Sequence, residues 1–150
     1  MTYMTRQDFE PVEAFTITIE GKAVNTTSLS DQVVNTAHAK SMMVYTQVTP
    51  AAGSSAGQTV RFYLVRDDQH PTAPYRSEGV GTAAVSPSVF PVTNAEFIGS
   101  MTVSGDAEAH YADFLVEDIG PKFSIIMEFL TDGVITAIDS QDYARYRFIT

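Results

Sequence analysis

Apolar residues in this chain recur at every second position, in runs of about five to nine residues separated by turn formers. That period constrains the fold more than any other feature, because it matches the pleat of a half-buried strand and not the turn of a helix. Phe15, Ile17 and Ile19 alternate with Thr16, Thr18 and Glu20 before Gly21. In Ser41–Val48, Met43 and Tyr45 share one side, and Met42, Val44, Thr46 and Val48 the other. Val60, Phe62 and Leu64 alternate with Arg61, Tyr63 and Val65 in Thr59–Arg66. Phe97, Gly99, Met101 and Val103 oppose Ile98, Ser100 and Thr102 in Glu96–Val103. His110–Asp118 carries Phe114 and Val116. Lys122–Leu130 sets Phe123, Ile125, Met127 and Phe129 against Ile126 and Leu130, which predicts a central strand buried on both sides. Val134–Ile138 reads as a short strand, and Asp142–Ile149 closes with Ala144, Tyr146 and Phe148 opposing Tyr143, Arg145 and Arg147.

The punctuation fits the same scheme. Asn25–Ser30 is rich in turn formers, and Ser30 or Asp31 could cap a short helix through Val34. The small-residue stretch Pro50–Gly57 predicts that Ser41–Val48 and Thr59–Arg66 pair as a hairpin. Thr131-Asp132-Gly133 is a hairpin turn, since Asp-Gly accepts the positive φ a tight turn requires. Asp67–Pro91 is the longest irregular stretch, with Pro71, Pro74, Pro87, Pro91, Gly79 and Gly81. Loops of that length in compact domains are usually functional or ordered by a partner. Residues 1–14 show neither period and read as an extended arm. The expectation is an all-β protein: an antiparallel β-sandwich, jelly-roll-like, of about eight strands over residues 15–150, preceded by the arm.

Composition narrows the chemistry. The 150 residues contain no Cys, which removes disulfides, thiolate metal sites and Cys nucleophiles. The formal charge of -9 is a poor match for a phosphate backbone or an anionic lipid surface, so neither nucleic acid nor membrane is an expected partner. No apolar run approaches the ~20 residues that span a bilayer, and Met1–Glu10 does not read as a Sec-type signal. His38, His70 and His110 lie outside any hydrolase or zinc-protease motif. Asp67-Asp68-Gln69-His70, and Asp106, Glu108 and His110 at alternate positions, offer fewer oxygens than hard cations take, so no metal or cofactor is expected. Arg76-Ser77-Glu78-Gly79-Val80-Gly81 lacks the third glycine of a dinucleotide loop. Without Trp, a sugar platform would rest on Tyr45, Tyr63, Tyr75, Tyr111, Tyr143 or Tyr146, at least half of which sit in alternating strands. Asn25-Thr26-Thr27 matches a glycosylation sequon, but nothing points to a secretory chain.

An ordered series of segments over residues 41–150 resembles a group of tailed-bacteriophage virion proteins described as decoration, cement or head-fibre-like. Val60–Asp68 resembles that group's Tyr-Leu-x-Arg strand leading into an acidic turn. Arg76–Gly81 resembles its Arg-polar-acidic-Gly-x-Gly loop, and Phe97-Ile98-Gly99-Ser100-Met101 its Leu-Ile-Gly-x-Leu strand. Gly120-Pro121-Lys122-Phe123 is similar to its Gly-Pro-Lys-aromatic lead into a buried strand, with Phe where Trp is common. Thr131–Val134 and Tyr143–Tyr146 are similar to its Thr-Gly-Val turn and its closing x-x-Arg-Tyr strand, although Ala144 and Phe148 follow a pattern of their own.

The resemblance implies a non-enzymatic β-sandwich subunit of a virus particle, without cofactor. The expected role is capsid cement or decoration, bound to the major capsid protein on the outer capsid surface after assembly in the bacterial host cytoplasm. A homo-oligomer is expected, as a trimer around local three-fold axes. Arms and loops can order on binding and wrap a large surface. Arg6, Phe9 and Pro11 in the arm, with Tyr75, Arg76 and Phe90 in the loop, are therefore the expected partner contacts. The alternative is a tail, baseplate or fibre subunit contacting host glycan. A cellular carbohydrate-binding module fits less well, for lack of Trp and of a secretion signal.

Overall fold

The computed structural model describes residues 11–19, 21, 26–51, 57–66, 95–103, 107–131, 135 and 142–150. Among the described residues there are nine strands: β1 (Glu13–Ala14), β2 (Thr26–Leu29), β3 (Val33–Val34), β4 (Ser41–Val48), β5 (Gln58–Arg66), β6 (Ala95–Val103), β7 (His110–Glu117), β8 (Lys122–Leu130) and β9 (Tyr143–Ile149). They form two antiparallel sheets. The four-stranded sheet runs β1-β9-β4-β7, and the five-stranded one β2-β8-β5-β6 with β3 also on β8. Strands pair from the ends of the chain inward: β1 with β9, β2 with β8, β4 with β7 and β5 with β6. Successive pairs fall in alternate sheets, so the chain is a doubled ribbon rolled over a shared core, which is the jelly-roll form of a β-sandwich.

The core is made by the side chains that alternate inward. Met42, Val44 and Val48 of β4 meet Val60, Phe62 and Leu64 of β5, together with Phe123, Ile125, Met127 and Phe129 of β8. Phe123 lies at the centre of an aromatic cluster joining the sheets, edge-on to Phe15 (6.4 Å between centroids), Tyr146 (6.3 Å) and Phe148 (6.2 Å). As expected for a central strand, β8 has neighbours on both sides and is buried on both faces. Its outward Ile126 joins Val65 and Tyr63 in a second cluster on the far face of the five-stranded sheet. There the Tyr63 hydroxyl donates to Glu128 Oε2 at 3.1 Å.

Four local expectations are corrected. First, β4 and β5 do not form a hairpin: β4 lies between β9 and β7, and β5 between β8 and β6, in opposite sheets. Alternation fixes which side of a strand is buried but not which strand lies beside it. Second, there is no helix after Ser30. The Ser30 hydroxyl accepts the Ile125 N–H at 3.0 Å while the Ser30 N–H donates to the Ile125 carbonyl at 2.9 Å. Both groups extend the β2–β8 ladder, and Val33–Val34 pairs with β8 as well. The turn formers Thr26–Leu29 are thus in a strand.

Third, Phe15–Ile19 has the expected alternation, with Phe15 and Ile19 buried, but makes no strand. It crosses between sheets. The Phe15 N–H donates to Ala144 in the four-stranded sheet, whereas the Thr16 and Thr18 carbonyls accept from the Asp31 N–H and the Ser28 hydroxyl beside the other. Fourth, β6 does not keep a single face. Phe62 pairs with Gly99 but Tyr63 with Phe97, so Ile98 is the extra residue of a bulge. Ile98 turns toward the core, and Phe97 turns outward to pack 5.7 Å from Tyr63. Of the expected strand Val134–Ile138, only Ile135 is among the described residues, and it bridges Pro50.

Candidate functional site

The outer face of the four-stranded sheet groups aromatic and charged side chains. Each of its strands sends one alternate set outward: Met43, Tyr45 and Gln47 from β4, Tyr111, Asp113 and Leu115 from β7, and Tyr143, Arg145 and Arg147 from β9. Register sets them in rows. Tyr111, Gln47 and Tyr143 form one row, Asp113, Tyr45 and Arg145 the next, and Leu115, Met43 and Arg147 the third. Adjacent rows lie about 7 Å apart along the strands, and adjacent columns about 4.8 Å apart.

Val12, Tyr45, Tyr111, Asp113, Tyr143, Arg145 and Arg147 line an open groove of about 520 Å³ on this face. That volume falls within the ~300–1,000 Å³ of small-ligand sites. Tyr45 forms the floor between Asp113 and Arg145. Arg145 places its guanidinium 4.2 Å from the Tyr143 ring centroid, a cation–π contact that fixes both groups. Tyr111 is 65% exposed, and Leu115, two rows further along the same strand, 58%. Val12 reaches the groove just before β1, which pairs with β9 at its rim. Such an arrangement offers flat apolar ring faces, guanidinium donors and a carboxylate acceptor together.

Of the expected partner contacts, only Pro11 is among the described residues, exposed one residue before Val12. Arg6, Phe9, Tyr75, Arg76 and Phe90 lie outside them, as do the Arg76–Gly81 loop, Asp67–His70 and Asp106. No group of three or more His, Asp and Glu placed to hold a metal occurs among the described residues. Within the same set, no helix is long and apolar enough to cross a membrane. The tyrosines divide. Tyr146 is in the core, Tyr63 on the far face of the other sheet, and Tyr45, Tyr111 and Tyr143 gather on the groove. Tyr45 stands with Met43, and Tyr143 with Arg145 and Arg147, in sets that alternation separates from the other side of their strands, whereas Tyr111 is placed only by the structure. Their convergence depended on β4 lying between β7 and β9, which single-strand periodicity does not report.

Compared with known proteins, the chain matches no family model and no curated protein.

Proposed function

We propose that this chain is a non-catalytic structural subunit of a tailed-phage particle, a cement or decoration protein on the outer surface of major capsid subunits. What carries the reading is where the virion-protein-like segments fall. Val60–Arg66 lies within β5, Phe97–Met101 within β6 around its bulge, Gly120–Phe123 leads into buried β8, and Tyr143–Tyr146 opens β9. These four segments lie in or lead into strands of the sandwich, while Arg76–Gly81 and Asp132–Val134 lie outside the described residues. The charge of -9 favours a position outside the shell, away from packaged DNA. In this role the chain adds buried area across capsid subunit junctions and resists internal pressure, as a homo-oligomer whose expected form is a trimer.

The test is reconstitution. Purified chain added to stripped heads should restore their resistance to heat, and deletion of residues 1–10, which leaves β1 intact, should reduce occupancy. Heads that neither bind the full chain nor gain stability from it would exclude the role. The groove of Tyr45, Tyr111 and Tyr143 favours a second reading, a tail, baseplate or fibre subunit that contacts host glycan. Densitometry of purified virions separates the two: hundreds of copies support cement, and a few to a few dozen support the tail.

A further inference from the structure

We infer that the Tyr45 groove binds a carboxylate-bearing saccharide, with Arg145 and Arg147 holding the carboxylate and Tyr45, Tyr111 and Tyr143 carrying the sugar rings. The inference rests on the second reading above, in which the groove contacts glycan.

Three observations converge on it. The first is the pairing of ring faces with polar groups. A pyranose presents an apolar C–H face and a rim of hydroxyls, and a tyrosine offers an apolar body with a polar tip. Three tyrosines line one groove here, and the exposed Tyr111 stands across Gln47 from Tyr143. The second is local charge. On a chain of net charge -9, this groove is lined by two guanidinium groups and one carboxylate. The lining is thus net positive on a net negative chain, and it favours an anion.

The third is spacing. Arg145 and Arg147 are alternate residues of β9, about 7 Å apart, on the same side of the sheet. The guanidinium fork matches the geometry of a carboxylate. Asp113 lies two strands from Arg145, with Tyr45 between them, so their backbones are about 10 Å apart. A sugar ring stacked on Tyr45 can then direct its carboxylate to the arginines and a hydroxyl to Asp113. A nucleic-acid strand is the poorer fit, because two arginines cannot offset repulsion of a polyanion by the whole chain. The groove is open, so one site binds weakly, and many copies on one particle would strengthen attachment by avidity.

The test titrates the full chain with trigalacturonate and sialyllactose, and with their neutral counterparts galactotriose and lactose, at low salt. The acidic sugars should bind saturably and about tenfold more tightly than the neutral ones, with the margin shrinking as salt rises. Arg145→Gln, at an exposed position, should weaken acidic sugars about tenfold and leave neutral ones unchanged. Tyr111→Ala should weaken both kinds alike. Arg61→Gln, on the exposed face of the other sheet, should change neither. Equal binding of acidic and neutral sugars, or an effect of Arg61→Gln as large as that of Arg145→Gln, would overturn the acidic specificity and leave glycan contact standing. Binding of none of the four sugars at millimolar concentration would overturn both.

Discussion

At the scale of single residues, the sandwich depends on a few side chains that work at close range. Gly99 is one. A Cβ built there would collide with the ring of Phe114, which itself packs 4.9 Å from Phe62. The residue lies beside the β6 bulge, where the absent side chain admits an aromatic ring from β7. Gly99→Ala should destabilise the protein by about 1–3 kcal/mol in urea unfolding, and adding Phe114→Leu should recover part of the loss. Asn35 is another. Its side-chain amide donates to the Ala39 carbonyl at 2.7 Å and the Gly120 carbonyl at 2.9 Å, while its oxygen accepts the Ala39 N–H at 2.9 Å. One buried side chain thus holds its own turn, in which His38 takes a positive φ, and ties it to the lead-in of β8. Asn35→Ala leaves partners unsatisfied and should cost about 2–3 kcal/mol in the same assay.

At the scale of elements, β1 is only two residues long but is held by more than its ladder. The Tyr146 hydroxyl donates to Glu13 Oε2 at 2.7 Å, and the Phe15 N–H continues the pairing to Ala144. Burial, reinforced by Glu13, pushes the Tyr146 phenol well above its ordinary value of 10.0. Burial and Glu128 push Tyr63 the same way. A raised phenol stabilises the fold fully below the unfolded value of about 10, and the contribution is lost as pH rises above it toward the folded value. Melting temperature should therefore fall with pH above about 10, and Tyr146→Phe should flatten the fall without abolishing it, because Tyr63 titrates in the same direction. A slope identical in wild type and variant would remove Tyr146 from the effect.

Elements also show how much the sequence made legible. The inward sets of β4 and β9 follow directly from alternation, because a strand with one wet face must segregate its side chains, and the apolar residues on both sides of β8 mark it as a strand buried on both faces. Neighbours were not legible, since β4 has the same pattern whether β5 or β9 lies beside it. Phe97 was misassigned because a bulge moves every residue beyond it to the other face, and nothing but Gly99 marked the place. Ser30 has the chemistry of a helix cap, and only tertiary context assigned its hydroxyl to Ile125. The groove was hidden for the same reason as the topology: its residues come from three strands far apart in the chain.

At the scale of the whole molecule, nearly every strand pairing joins distant segments, from Glu13 with Tyr146 inward to Val65 with Ala95. Loops must close before such pairings stabilise anything, and folds of this kind refold in milliseconds to seconds. Stopped-flow refolding from urea should fall in that range, and a submillisecond phase carrying the full amplitude would contradict it. Truncation before Tyr143 should abolish cooperative unfolding, because it removes the strand between β1 and β4.

The ends-inward pairing also sets an order in time. During synthesis β1 and β4 emerge long before β9, yet both flank it in the finished sheet. Until residues 143–149 have left the ribosome, the inward side chains of β4 lack part of their cover, and the groove has only its β4 and β7 walls. A nascent chain interrupted short of β9 therefore carries neither a closed sandwich nor a complete groove, and exposes the apolar side chains that β9 would cover.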